Sequence, residues 1–167
     1  MAPEFHVRAV DGGLVSPALV YGVRQGDVLR LGAPVGDRLT LRASQGRDLV
    51  LIAGGTGLAP LRALVEEIAQ HGPHRRVDLF VGARDTNGLY DLAALRQLAQ
   101  AHAWLRVTPL VGAYAGTFDQ RSLASPVLRA AAWRDSSFYV CGSSAMVSAT
   151  VRDLAGAGIP HDLLHVS

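Results

Sequence analysis

The sequence predicts an α/β fold: an open, five-stranded parallel sheet with helices on both faces, preceded by a shorter β-rich segment. Two observations predict it. From about Asp48 onward, short apolar runs alternate with amphipathic helical patterns. The first run, Leu49 to Ala53, is also apolar at every position, as a strand buried on both faces should be.

The elements follow in order. Phe5 to Val10 is expected as a strand and Asp11-Gly12-Gly13 as a turn. Ser16 is expected to cap a helix that starts at Pro17. Val28 to Leu31 and Leu39 to Leu41 are expected as short strands between glycine- and proline-bearing turns. This stretch holds too little apolar mass to fold alone, so residues 1–46 read as part of a domain whose beginning is missing. Residues 47–167 read as a complete second domain. After the strand at Leu49, a stripe of Leu61, Leu64, Val65 and Ile68 predicts a helix to about Gln70, stopped by Gly72-Pro73. Strands are expected at Val77 to Val81, Leu105 to Val111, Phe138 to Cys141 and Leu163 to Val166. Helices are expected at Leu92 to Ala101, Leu123 to Ala131 and Met146 to Leu154, the last capped by Ser143 or Ser144.

Composition excludes several kinds of chemistry. The 167 residues carry 16 basic and 14 acidic side chains, a formal +2, with no basic run longer than two. Nucleic-acid binding needs clustered positive charge, so no nucleic-acid partner is expected. All the basic residues are arginine, which excludes a P-loop lysine and a Schiff-base lysine. One cysteine, Cys141, rules out an internal disulfide and a cysteine-based metal cluster. The six histidines are scattered, with His71 and His74 flanking a Gly-Pro turn and His161 and His165 near the end. Neither pair supplies the convergent set that zinc requires, so no metal site is expected. No apolar stretch reaches ~18 residues and no signal-peptide pattern opens the chain, so a cytoplasmic protein with no membrane partner is expected.

Three segments carry candidate chemistry. Gly54-Gly55-Thr56-Gly57-Leu58-Ala59-Pro60 follows the first apolar strand and opens the first helix. Glycine lets backbone turn sharply and approach a ligand, and the positive helix end then favours a pyrophosphate. Pro60 stands where the usual dinucleotide fingerprint has its third glycine. Gly82-Ala83-Arg84-Asp85, with Tyr90 beyond it, ends the second strand at the edge that faces an adenosine ribose in nucleotide folds. There Arg84 can meet a 2′-phosphate and Asp85 can accept from a free ribose hydroxyl, or both belong to a solvated turn. Cys141-Gly142-Ser143-Ser144-Ala145-Met146 is a strand end, a tight turn and a capped helix at the same edge. Cys141 is there a nucleophile, a nicotinamide neighbour or a small buried hydrophobe. No histidine or acid is tied to it in sequence, and the motif is not Gly-x-Ser-x-Gly, so a hydrolase triad is not supported.

Taken together, these segments resemble the ferredoxin–NADP reductase superfamily from about Phe5 onward, and in particular the reductase modules of flavohaemoglobins and oxygenase systems. Leu51 to Pro60 is similar to that family's nicotinamide-nucleotide loop, proline included, and Tyr139-Val140-Cys141-Gly142 with Met146 to its Cys-Gly-x-x-x-Met segment. Gly13-Leu14-Val15-Ser16 resembles its Gly-x-x-Ser flavin-pyrophosphate segment. His6-Val7-Arg8, Gly26-Asp27 and Gly32 to Gly36 resemble flavin-barrel pieces. The resemblance implies a Rossmann-like sheet of order 3-2-1-4-5 with an incomplete N-terminal β-barrel segment. It also implies NAD(P)H as a cofactor, with FAD in the intact family, and hydride transfer from nicotinamide to flavin with electrons passing to an acceptor protein or globin.

By the same resemblance, Thr56 and Cys141 border the nicotinamide, Gly54, Gly55 and Gly57 approach the pyrophosphate, and Gly82, Arg84 and Tyr90 surround the adenosine half. Gly13, Val15 and Ser16 are implied on the flavin side, and Pro60, Gly142 and Met146 complete the nucleotide segments. The family's Arg-x-Tyr-Ser flavin motif would precede Phe5, and its extended C-terminus would follow Ser167, so FAD binding by this chain is in doubt. Arg84 favours a 2′-phosphate, but Asp85 adjoins it and Ala113 stands where NADPH-using relatives carry a second arginine, so NADH is favoured. A homodimer joined through the half-barrels is the expected assembly. The alternative is a non-catalytic nucleotide-binding or assembly module without a working flavin site.

Overall fold

The computed structural model describes residues 3–33, 39–72, 75–112, 122–130, 133 and 135–166. The expected turn at Pro34-Val35-Gly36, the helix stop at Pro73, and His74, Ala113 and Ser167 lie outside the described residues. The chain divides into two compact units, 1–36 and 37–167, rather than between residues 46 and 47.

The larger unit is built on one parallel sheet. Its strands are β1 (Leu49–Gly54), β2 (Val77–Ala83), β3 (Leu105–Val111), β4 (Ser137–Cys141) and β5 (Leu164–Val166). Their order is β3-β2-β1-β4-β5, as the resemblance implies, and every pairing is parallel. A parallel sheet needs crossover connections, and the intervening helices supply them. Numbered after the short N-terminal α1 described below, they are α2 (Leu58–His71), α3 (Leu92–Ala101), α4 (Ala124–Ala130) and α5 (Ser144–Gly156).

Alternation along the strands divides the core between two faces. Leu49, Leu51 and Ala53 pack with Leu58, Leu61, Leu64, Val65 and Ile68 of α2 and with Leu95 of α3. Val50 and Ile52 turn the other way and pack with Val127 of α4 and with Val147 and Leu154 of α5. Each fully buried leucine, isoleucine or valine among them contributes roughly 1.5–3 kcal/mol. The two layers explain why Leu49 to Ala53 of β1 and all of β4 are buried, and why Leu49 to Ala53 and Phe138 to Cys141 read as unbroken apolar runs. Helix α2 ends at Gly72, whose φ of 90° only glycine adopts readily.

Part of the linker joins this core. Leu39 and Leu41 pack against the α2 face, and the Tyr139 hydroxyl donates to the Thr40 carbonyl at 2.7 Å. Residues 41–44 form a 3₁₀ turn in which buried Ser44 donates to the Leu41 carbonyl at 2.7 Å. The strand expected at Leu39 to Leu41 is therefore not formed. Its leucines are half-buried against the core beside α2 instead of pairing in a sheet.

The smaller unit also departs from expectation. The strands expected at Phe5 to Val10 and Val28 to Leu31 are irregular chain, and the barrel segment has no strand among the described residues. A strand exists only through a ladder partner, and alternating side chains alone do not supply one. The helical turn α1 spans Val15–Pro17 with Leu14, not Ser16, at its N-cap, and continues as a wider π-type turn, Ala18–Gly22. Ser16 is drawn away from capping because its Oγ accepts from the Val10 N–H at 3.1 Å.

Candidate nucleotide site

The sheet reverses direction of growth between β1 and β4, and ligands of open α/β sheets bind at the carboxyl ends of the strands on either side of such a point. Here the two loops that leave those ends touch. Gly55–Gly57 makes a single 3₁₀ turn, and Gly55 holds a φ of 54°. Leu58 N–H closes that turn onto the Gly55 and Thr56 carbonyls, and Gly57 stands at the N-cap of α2. Pro60 is then the third helical residue, where no intrahelical acceptor waits for an N–H, so proline is tolerated there. Thr56 is exposed at the loop tip.

Across the crevice, Cys141 pairs in register with Ala53 and is 7% exposed. A Cβ on Gly57 would collide with the Cys141 carbonyl and the Gly142 nitrogen. A Cβ on Gly54 would fall 2.7 Å from Met146 Cε, and one on Gly142 would collide with the same atom. Gly57 is thus required by backbone contacts within the protein, independently of any ligand, whereas Gly54 and Gly142 face chiefly the movable tip of Met146. Ser143, the first of the two serines expected as the cap, begins α5 by accepting from Met146 N–H at 3.4 Å.

The edge expected to face the adenosine lies next along the sheet, where Gly82 pairs with Gly54 on one side and Leu110 on the other. Arg84 is exposed and Tyr90 is 51% exposed. Asp85 is part of a turn: its Oδ1 accepts from Gly88 N–H at 3.0 Å. Gly88 has to be glycine because a Cβ there would stand 2.9 Å from that of Ala83. Arg62, in the second turn of α2, donates to Glu66 on its own helix and to Asp91 beside Tyr90, each at 2.8 Å. This clamp joins the glycine-loop helix to the adenosine-edge loop. Sequence reading missed it, because only the Arg62–Glu66 half has helical spacing.

In the smaller unit, Gly13 N–H donates to the Val10 carbonyl at 2.9 Å, Ser16 closes back on Val10 N–H, and Val15 is exposed. Gly13, Val15 and Ser16 therefore lie on one compact turn.

This geometry is that of a nucleotide-binding α/β domain. Residues 51–152 match the model of the oxidoreductase NAD-binding domain, and the chain belongs to that family. The resemblance to the ferredoxin–NADP reductase superfamily holds. The chain is 33% identical over 152 residues to the ferredoxin–NAD(P)(+) reductase component of the naphthalene 1,2-dioxygenase system of Pseudomonas putida, covering 87% of this chain and 45% of that protein. It is 34% identical over 157 residues to the reductase subunit of an aromatic O-demethylase from an Amycolatopsis species, covering 89% and 46%. The crystal structure of the Amycolatopsis cytochrome P450 reductase GcoB matches with a TM-score of 0.78 at 32% identity, over 96% of this chain and 50% of that one. The chain spans about half the length of the curated relatives it matches.

Proposed function

We propose that this chain is the NAD(P)H-binding half of a flavin-dependent reductase that delivers electrons to a protein or haem acceptor. The observation that carries the reading is the contact between Gly54–Gly57 and Cys141–Gly142 at the reversal point of the sheet, in a member of the NAD-binding family. The positive φ of Gly55 and the opening of α2 suit a pyrophosphate at the loop. Exposed Thr56 and nearly buried Cys141 border the nicotinamide, and Gly82, Arg84 and Tyr90 hold the adenosine half. Helix α2 and the Arg62–Asp91 clamp fix the distance between those two ends.

On the flavin side, residues 1–36 contribute part of a barrel. Ser16 Oγ accepts one hydrogen bond and keeps its own proton for a phosphate oxygen, with Gly13 and Val15 beside it. When bound, FAD supplies a hydride acceptor that can release electrons singly. The protein's part is alignment and exclusion of water, with no side chain acting as general acid or base.

Partners and place follow from the same reading. The exposed apolar side chains of the smaller unit, led by Leu14 at 89% and Val28 at 90%, favour a homodimer joined through the half-barrels. No described helix is long and apolar enough to cross a membrane, and we place the protein in the cytoplasm. The smaller unit holds no strand among its described residues, which favours one second reading, a nucleotide-binding module without flavin. The test is to titrate the purified full chain with NADH in a calorimeter and to record its visible spectrum after incubation with FAD and desalting. Saturable NADH binding with retained yellow colour supports the reductase. Binding without colour supports the second reading, and no NADH binding overturns both.

A further inference from the structure

Gly54, at the end of β1, and Gly142, just past β4, lie against each other: a Cβ on Gly142 would stand 3.2 Å from the Gly54 carbonyl oxygen and 3.3 Å from its Cα. Both also press on Met146 Cε, the side chain that would block a Cβ at either position. Methionine is ordinarily an adaptable filler with three rotatable bonds. This one is held at three points. Its N–H donates to Ser143 Oγ, its Sδ accepts from Thr150 Oγ1 at 3.4 Å, and its methyl is clasped by the two glycines. Thr150 is fully buried, and its Oγ1 accepts in turn from the Leu123 N–H at 3.0 Å. A buried hydroxyl satisfied by a backbone N–H on one side and a thioether on the other fixes where that thioether lies.

We propose that Met146, oriented by Thr150, is a positioning residue for the nicotinamide end of the bound nucleotide. Its methyl packs against Gly142, beside Cys141, and against Gly54 where the two loops meet. Met146 meets the site at the Gly142–Cys141 turn, on the nicotinamide side of the proposed site, while Gly82, Arg84 and Tyr90 lie at the adenosine end, so its influence is greatest at the nicotinamide end of the ligand. The inference rests on the reading that NAD(P)H binds at this edge.

The experiment compares the affinity of the full chain for NADH with that for ADP-ribose, which lacks the nicotinamide. Met146→Ala is expected to weaken NADH at least tenfold while ADP-ribose stays within twofold. Thr150→Val, which keeps the shape and loses the hydroxyl, is expected to weaken NADH about threefold, and Thr150→Ser to restore it. Melting temperature is followed in parallel, because a merely structural role lowers it and leaves the ratio of the two affinities unchanged. That unchanged ratio in both Met146→Ala and Thr150→Val overturns the proposal. So does equal affinity of the unaltered chain for the two ligands. Should Met146→Ala fail to fold, Thr150→Val alone decides. Binding of neither ligand by the unaltered chain overturns the nucleotide reading itself, a distinct result.

Discussion

Gly55 and Gly57 are separated by one residue and are glycine for different reasons, which makes them separable by mutation. Gly57 has no room for a Cβ because the Cys141 carbonyl already stands there, and backbone cannot give way as a side chain tip can. Gly57→Ala is expected to destabilise the fold by about 1–3 kcal/mol, read from urea unfolding. Gly55 instead holds a φ of 54° at a half-buried loop position. Gly55→Val opposes that φ and sets a branched side chain where phosphate should approach. Its NADH affinity is expected to fall at least tenfold, about 1.4 kcal/mol, with the sheet intact by circular dichroism. Unchanged affinity in calorimetry would remove the loop from the site. Spacing in sequence marked both glycines but could not tell the two causes apart, since one depends on β4, far along the chain. Asp85 shows the same limit: as a bare residue it reads as a ribose acceptor, yet its Oδ1 closes a turn onto Gly88. Its negative charge still adjoins Arg84, so a lone arginine makes a poor clamp for a 2′-phosphate. NADH is expected to bind more tightly than NADPH, and a clear NADPH preference in the same titration would reverse that assignment.

At the level of elements, β1, β2 and β4 were legible because burial on both faces leaves an unmistakable pattern. The partly exposed edge strands β3 and β5 and four of the helices were read from their own apolar patterns. Strand β4 is the clearest case. All five of its residues are buried, with Phe138 and Val140 facing α5 and Tyr139 facing α2. What the pattern hides is the polar fastening. The Tyr139 hydroxyl reaches the Thr40 carbonyl, 99 positions away, in a stretch misread as a strand. A hydrogen-bond acceptor on irregular backbone leaves no trace in residue identity. The strands expected at Phe5 to Val10 and Val28 to Leu31 failed for a related reason, because alternation describes a surface and not the neighbour that must pair with it. Tyr139→Phe removes the hydroxyl and its bond to Thr40 while keeping the ring, and is expected to cost about 1 kcal/mol of stability by thermal or urea unfolding. A larger unit that loses no stability on this change is not fastened through Thr40.

Across the whole molecule, two adjacent rings make stability depend on pH. Tyr139 and His165 sit on neighbouring strands with ring centroids 4.5 Å apart. Burial raises the tyrosine pKa above its ordinary 10.0 and lowers the histidine pKa below its ordinary 6.5, the latter partly offset by Asp162. Both shifts favour neutral forms in the folded state. Below 6.5 the unfolded chain takes up a proton at His165 that the folded chain resists, so stability falls as pH drops toward the lowered value. Above 10.0 the unfolded chain loses a proton that folded Tyr139 keeps, so stability falls again. His165→Phe is expected to flatten the acid limb of a melting-temperature profile and leave the alkaline limb in place. An acid limb unchanged in that variant would show that other groups govern it.

The assembly prediction turns on where the chain is cut. The smaller unit exposes Phe5, Leu14, Val15, Tyr21, Val28 and Leu31, an apolar load that is costly in water and that a second copy can cover. Covering it by a two-fold contact closes the assembly instead of propagating it. If this surface drives association, removing it should yield a monomer, provided the cut spares what the sheet needs. A cut after residue 43 would strip Leu39 and Leu41, which pack on the core of the larger unit, and Thr40, whose carbonyl accepts from the Tyr139 hydroxyl. A cut after residue 36, at the division between the two units, keeps them. The full chain is therefore expected to sediment as a dimer. The chain from residue 37 is expected to sediment as a monomer that binds NADH within threefold of the full chain, because its glycine loop and β4 turn are intact. A full chain that sediments as a monomer at tens of micromolar would refute the half-barrel dimer. A truncated chain that remains dimeric would move the contact onto the NAD-binding unit.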